Sequence, residues 1–152
     1  MRFSTRGRYG LKAMFVLAQH YGQGPLPLKQ VAEDQGISEA YLEQLIGELR
    51  KSGLVKSVRG AQGGYLLGKA PDRITVGDII RVLEGPIAPA DCVIEDEELD
   101  LCDQADKCVT RLIWERVRDS VSEVLDSMSL ADMLAKASEI QGGSPQCQPI
   151  SQ

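Results

Sequence analysis

Residues 38–67 read SEAYLEQLIGELRKSGLVKSVRGAQGGYLL, and the fold turns on this stretch. Ser38 is a natural N-cap, because a short side-chain oxygen can take one of the amide N–H groups that a helix start leaves without a partner, and Glu39 follows in the first turn, where negative charge suits the helix dipole. Leu42, Leu45, Ile46 and Leu49 recur at helical spacing and predict one buried stripe. Ala40, Glu43, Gln44, Gly47 and Lys51 fall on or near the opposite face, and Ser52-Gly53 closes the helix. Leu54-Val55-Lys56-Ser57-Val58 then has strand character, Gly60-Ala61-Gln62-Gly63-Gly64 reads as a loop, and Tyr65-Leu66-Leu67 returns as the second strand of a β-hairpin. Arg59 sits at its tip, close to Lys56 and Lys69.

Upstream, Leu11, Met14, Phe15, Leu17 and Ala18 predict a first helix over residues 5–21, ended by Gly22-Gln23-Gly24-Pro25. Leu28, Val31 and Ala32 mark a short second helix that stops near Gly36. Downstream, Thr75-Val76-Gly77-Asp78 has the spacing of a capping box with Asp in the reciprocal position, opening a fourth helix through Leu83. Gly85-Pro86 breaks that helix, and residues 86–108 read as an acidic loop. Val109, Leu112, Ile113, Val117, Val121, Val124, Leu125 and Met128 predict a long amphipathic helix, and Ser129-Leu130-Ala131-Asp132 caps a last one to about Ile140. The class expected is mostly α with a small β-hairpin wing: a winged helix-turn-helix unit over residues 1–85, a cysteine-containing cluster-binding loop over 86–108, a dimerisation helix and C-terminal helix over 109–140, and a disordered tail over 141–152.

Composition bounds the function. The 152 residues are 43% hydrophobic, enough for a core, and no apolar run approaches the roughly 20 residues a bilayer-spanning helix needs. The N-terminal charges have no apolar region behind them, so no signal peptide and a cytoplasmic location are expected. Charge is divided unevenly: residues 1–70 carry ten Lys and Arg against five Asp and Glu, whereas residues 71–152 carry seven against seventeen. A basic front suits a polyanion. With one histidine, no nucleophile–base constellation and no phosphate loop, an enzyme is the weakest reading.

Three short helices followed by a glycine-tipped basic hairpin make a double-stranded DNA reader. The third helix buries its apolar stripe and offers its other face to the major groove. Gln44 suits adenine and Glu43 suits the cytosine amino group there. Arg59 suits a phosphate or the minor groove, and Lys51, Lys56, Lys69, Arg2, Arg6 and Arg8 suit phosphates. The bland alternatives are that Tyr41 covers a helix–helix seam, that Glu43 only solvates its face, and that Gly63-Gly64 is only a turn. The long helix from Val109 carries a stripe too long for a small unit to cover alone, so burial against a second copy is expected, with Trp114 either at that seam or in the core.

The segments Gly7-Arg8-Tyr9-Gly10, Gly36-Ile37-Ser38, Tyr41-Leu42-Glu43-Gln44-Leu45, Leu49 to Val55 and Ser57 to Leu67 resemble the iron–sulfur cluster regulators of the IscR type, within the Rrf-two superfamily of winged-helix transcription factors. The resemblance covers about residues 1–140 and is dense over the first 85. It implies a homodimeric bacterial repressor or activator that binds an imperfect palindrome, with DNA contacts falling here on Ser38, Tyr41, Glu43, Gln44 and Arg59. The recognition-helix serine of that group two positions after Ser38 is Ala40 here.

Cys92, Cys102 and Cys108 lie in the acidic loop, and Cys147 in the tail. Thiolates select zinc, copper(I) or clustered iron. There is no Cys-x2-Cys pair, so neither a zinc ribbon nor a ferredoxin run is present, and on spacing alone metal ligands and free thiols stand level. The resemblance implies that Cys92, Cys102 and Cys108 ligate an iron–sulfur cluster, a [2Fe-2S] centre by the pattern of the group, with the [4Fe-4S] type of its nitric-oxide-sensing relatives as the variant. The group's histidine three residues after the last cysteine is replaced by Arg111, a side chain with no lone pair to give. A superfamily regulator without metal, such as a cysteine-metabolism repressor, and an iron–sulfur electron carrier are the rivals.

Overall fold

The computed structural model describes residues 1–95 and 102–142. Its elements run α1 (Thr5–Gln19), α2 (Leu28–Gln35), α3 (Glu39–Lys51), β1 (Val55–Val58), β2 (Gly64–Leu67), α4 (Val76–Glu84), α5 (Val109–Asp126) and α6 (Leu130–Ile140). This is the mostly helical architecture with a two-stranded wing expected from the sequence. Single 3-10 turns at Asp91–Val93 and Ala105–Lys107 give the segment read as plain loop two ordered points. Of the tail expected over 141–152, residues 143–152, with Cys147, lie outside the described residues, and Gln141-Gly142 form a turn after α6.

Local chemistry accounts for most boundaries. α1 stops at Gln19, two residues before the expected end, and Gly22 and Gly24 both turn with positive φ. Gly36 ends α2 in the left-handed conformation at φ 64°, and Ile37 N–H reaches back to the Ala32 carbonyl at 3.1 Å. The Ser38 hydroxyl oxygen then accepts from Tyr41 N–H at 3.2 Å and starts α3. α4 and α6 both open on full capping boxes, Thr75 with Asp78 and Ser129 with Asp132.

The main core is formed by α1, α2, α3, α4, the hairpin and the start of α6 around Met14, Leu42, Leu45, Ile46, Leu49, Ile74, Ile79 and Leu130, all essentially without solvent contact. A second, smaller cluster of Val76, Ile80 and Ile87 takes Val121, Leu125 and Met128 from α5. The hairpin pairs Val55 with Leu67 and Val58 with Gly64, antiparallel. Leu26 adds a bridge to β2 from outside the hairpin, exchanging both amide bonds with Tyr65 at 2.8 and 2.9 Å. The wing is thereby fastened to the turn after α1 as well as to α3.

α1 and α4 touch through glycine. A Cβ on Gly10 would lie 1.9 Å from Leu83 Cδ1, and one on Gly7 would lie 2.5 Å from Glu84 Oε1. Glu84 uses that approach to cap α1, whose own N-cap residue, Ser4, makes no side-chain bond to the helix. α4 and α6 start side by side: Val76 N–H donates to the Met128 carbonyl, and Leu130 N–H to the Ile74 carbonyl, each at 2.9 Å.

Candidate nucleic-acid interface and cysteine segment

α3 divides by chemistry. Leu42, Leu45, Ile46 and Leu49 are buried, while Glu43, Gln44 and Lys51 are exposed on the other side. Ser38 is exposed at the start of the same helix, its oxygen engaged by Tyr41 N–H while its own O–H is free to donate. Arg59 is exposed at the hairpin turn that Gly63 N–H closes onto the Gly60 carbonyl at 3.0 Å. Among the described residues, none of Glu43, Lys51 and Arg59 forms an ion pair. A polar helix face and a basic hairpin tip, both fixed on one core, form the geometry a duplex needs.

Tyr41 stands apart from that face. It is half-buried, its ring meets Tyr9 edge-on with centroids 6.2 Å apart, and its hydroxyl lies 3.4 Å from Thr5 Oγ1. It seals the α1–α3 seam, the bland alternative given above. Arg6 is also otherwise occupied. Its Nη2 donates to Glu48 on α3, and its Nε donates to the Leu83 carbonyl at 3.3 Å. The expectation that Arg6 serves phosphate therefore meets a prior engagement, whereas Arg2 and Arg8 are exposed and form no ion pair among the described residues.

The cysteines sit where α4 hands over to α5. Cys92 is half-buried on the Asp91–Val93 turn, which buried Val93 anchors and which Arg118 of α5 grips by donating to the Val93 carbonyl at 2.9 Å. Cys102 is exposed, and its carbonyl receives Ala105 N–H at 2.8 Å. Cys108 is the N-cap residue of α5, with Sγ 3.1 Å from Thr110 Oγ1. That hydroxyl, then the Arg111 amide, holds the Cys108 thiol below its ordinary pKa. Arg111 itself pairs with Glu115 at 3.2 Å and reaches the Ala105 carbonyl at 3.4 Å, so it ties the Ala105–Lys107 turn to α5.

In kind, these donors fit an iron–sulfur group: three thiols, one of them with its thiolate favoured. In place, no three His, Cys, Asp or Glu side chains stand together as a metal site among the described residues. Residues 96–101, with most of the acidic run Glu95–Glu98, connect Cys92 to Cys102 and lie outside them. His20 is far from the thiols in sequence; at the C-cap of α1, its Nδ1 lies 3.0 Å from the Val16 carbonyl. A cleft of about 500 Å³ opens beside the Cys92 turn, between Pro86, Ile87, Val93 and Arg118. Its two arginines are already engaged, Arg118 as above and Arg81 with Asp126 at 2.6 and 2.8 Å.

α5 leaves an apolar face in solvent. Val109, Leu112, Ile113, Trp114 and Val124 are all exposed, with Trp114 at 40%, so the tryptophan is not part of this chain's own core. Sequence reading found the thiols and this stripe, but missed Arg118 and Thr110. The i,i+4 spacing of Arg111 and Glu115 was the one signal available for that pair.

A helix held at its back by a core, with a polar front and a basic hairpin beside it, defines a winged helix-turn-helix DNA-binding regulator. The Rrf2 family model, described as an iron-dependent transcriptional regulator, matches residues 3–136. The chain belongs to the Rrf2 family of transcriptional regulators. It is 55% identical over 133 residues to the HTH-type transcriptional regulator CymR of Bacillus subtilis, covering 88% of this chain and 89% of that one. The solved structure described as T. potens IscR is 52% identical, with a TM-score of 0.75, over 96% of this chain and 93% of that chain. The HTH-type transcriptional regulator IscR of Erwinia tasmaniensis is 41% identical over 134 residues, covering 88% of this chain and 79% of that one. Among the described residues no helix is long and apolar enough to cross a membrane.

Proposed function

We propose that this chain is a cytoplasmic, homodimeric transcription factor that reads an imperfect palindrome in double-stranded DNA and reports iron–sulfur status through Cys92, Cys102 and Cys108. Gln44, Glu43 and Ser38 meet base edges in the major groove; Lys51 and Arg59 meet the backbone or the minor groove. Tyr41 contributes by fixing α3 on α1. The apolar face of α5 pairs with its copy, so two-fold symmetry in the protein matches two half-sites.

The observation that carries the sensing role is position. Cys92 and Cys108 bracket the chain segment that runs from α4 of the DNA-reading unit to α5, the helix that pairs in the proposed dimer. Cys92, Cys102 and Cys108 would hold the iron–sulfur cluster, which when bound would supply a link that iron shortage or oxidation removes. The chain's own part is to carry Cys92 on a turn that Arg118 holds, and Cys108 at the N-cap of the pairing helix, so that a change at the sulfurs shifts α5 against α4.

A second reading has a specific support. CymR shares 55% identity with this chain, its solved structure is described as the global cysteine regulator of B. subtilis, and Arg111 stands where the fourth ligand is expected. On that reading the same fold regulates cysteine metabolism with free thiols. Oxygen-free purification separates the two: iron and sulfide bound to the chain, with visible absorption lost in Cys92→Ala and Cys108→Ala, supports the cluster. A colourless, iron-free chain that binds duplex equally well supports the thiol regulator. Equal operator affinity with and without bound iron ends the sensing role.

A further inference from the structure

Two side chains on one stripe of α3 hold the first turn of α1. Tyr41 meets Thr5 and Tyr9, and two helical turns on Glu48 takes the Arg6 guanidinium. Arg6 also donates to the carbonyl of Leu83, the penultimate residue of α4, and Glu84, the last, caps the N-terminus of α1. One guanidinium thus joins the recognition helix, the first helix and the end of α4. A planar fork suits this, since it offers donors at fixed angles to two acceptors at once. We propose that Arg6 is a positioning residue for base reading, setting the tilt of α3 through Glu48, and that it does not contact phosphate.

This rests on the DNA-reading role and separates cleanly from it. The two roles differ in a measurable way. A phosphate contact releases counterions, so removing one flattens the dependence of log affinity on log salt by about 0.9 for duplex DNA. A positioning residue leaves that slope alone and alters discrimination. The probes are the duplex that the wild-type chain selects from a random pool and a scrambled duplex of the same composition. Each is titrated across salt concentrations with the full-length wild type, Arg6→Ala, Arg6→Lys, Glu48→Gln and the double variant Arg6→Ala/Glu48→Gln.

The expected result is a loss of about tenfold in preference for the selected duplex in Arg6→Ala and in Glu48→Gln alike. The double variant loses no more than either single one, scrambled-duplex affinity holds, and the salt slope is unchanged. Arg6→Lys, which keeps the charge and loses the fork, shows the same loss and guards against a misfolded alanine variant. Arg8→Ala, removing an exposed arginine, flattens the slope and serves as the control. A flattened slope in Arg6→Ala, or tighter binding to both duplexes in Glu48→Gln, overturns the proposal. A wild-type chain that selects no duplex sinks the DNA-reading role itself and this inference with it.

Discussion

Glu84 caps a helix that begins 80 residues earlier. Its Oε1 accepts from Ser4 N–H at 2.7 Å, from the Ser4 hydroxyl at 2.6 Å and from Gly7 N–H at 3.1 Å. The start of α1 is thereby completed by the end of α4. Caps of this kind contribute about 0.5–2 kcal/mol. Glu84→Ala is expected to lower unfolding stability by that amount with the denaturant m-value unchanged, measured by urea titration. A variant as stable as the wild type would show that water replaces the carboxylate.

Asp126 supplies a pH dependence with a defined sign. The Arg81 side chain holds its carboxyl below the ordinary value of 3.8. The folded chain therefore binds that proton less readily than the unfolded one, so the stabilisation is present above the ordinary value and drains away as pH falls through the depressed one. Both partners are partly exposed, at 39% and 44%, which limits the bridge to under about 1 kcal/mol. Asp126→Asn is expected to be less stable by that amount at pH 7, and the gap to wild type should narrow as pH falls below 3.8. A constant gap across the titration would refute the assignment.

Gly64 marks a tight point of the wing, where its backbone passes that of Leu26. A Cβ there would lie 2.4 Å from the Leu26 carbonyl oxygen and 2.9 Å from Pro27 N, and backbone cannot swing aside as a side chain does. Gly64→Ala is expected to break the Leu26–Tyr65 bridge. Amide hydrogen exchange at Leu26 and Tyr65 should rise, and duplex affinity should fall. Protected amides in the variant would mean the strand is held by other contacts.

The apolar face of α5 predicts oligomeric state. Leu112 is 59% and Ile113 52% exposed in the single chain, next to Trp114. Sedimentation equilibrium should give twice 16.6 kDa for the wild type and 16.6 kDa for Leu112→Asp/Ile113→Asp, with quenching of Trp114 by iodide increased in the variant. A wild-type monomer at micromolar concentration would remove the pairing role from this helix.

What was legible in the sequence was local. Ser38, Thr75 with Asp78, and Ser129 with Asp132 act within three residues, and each cap forms as its spacing predicts. The Leu42–Leu49 stripe works by helical period alone. What escaped was set by distant partners. Nothing near Ser4 announces Glu84, nothing near Leu26 announces Tyr65, and the charge of Arg6 reads as a phosphate contact until Glu48 folds beside it. The cysteines were legible as donors by type. Their mutual placement depends on residues between them that follow no period, so spacing gave no geometry there.

The paired starts of α4 and α6 bear on promoter architecture. Val76 and Leu130 exchange amide bonds with Met128 and Ile74, so the Met128 end of α5 is pinned to the start of α4, and a shift at the cysteine end of α5 pivots about that point. In the proposed dimer, that pinned corner would set the spacer between half-sites. One inserted base pair rotates the second half-site by roughly 34° around the duplex axis. A corner pinned in this way would follow that rotation poorly, so targets in a genome would be sorted by helical phase as much as by the letters of each half-site.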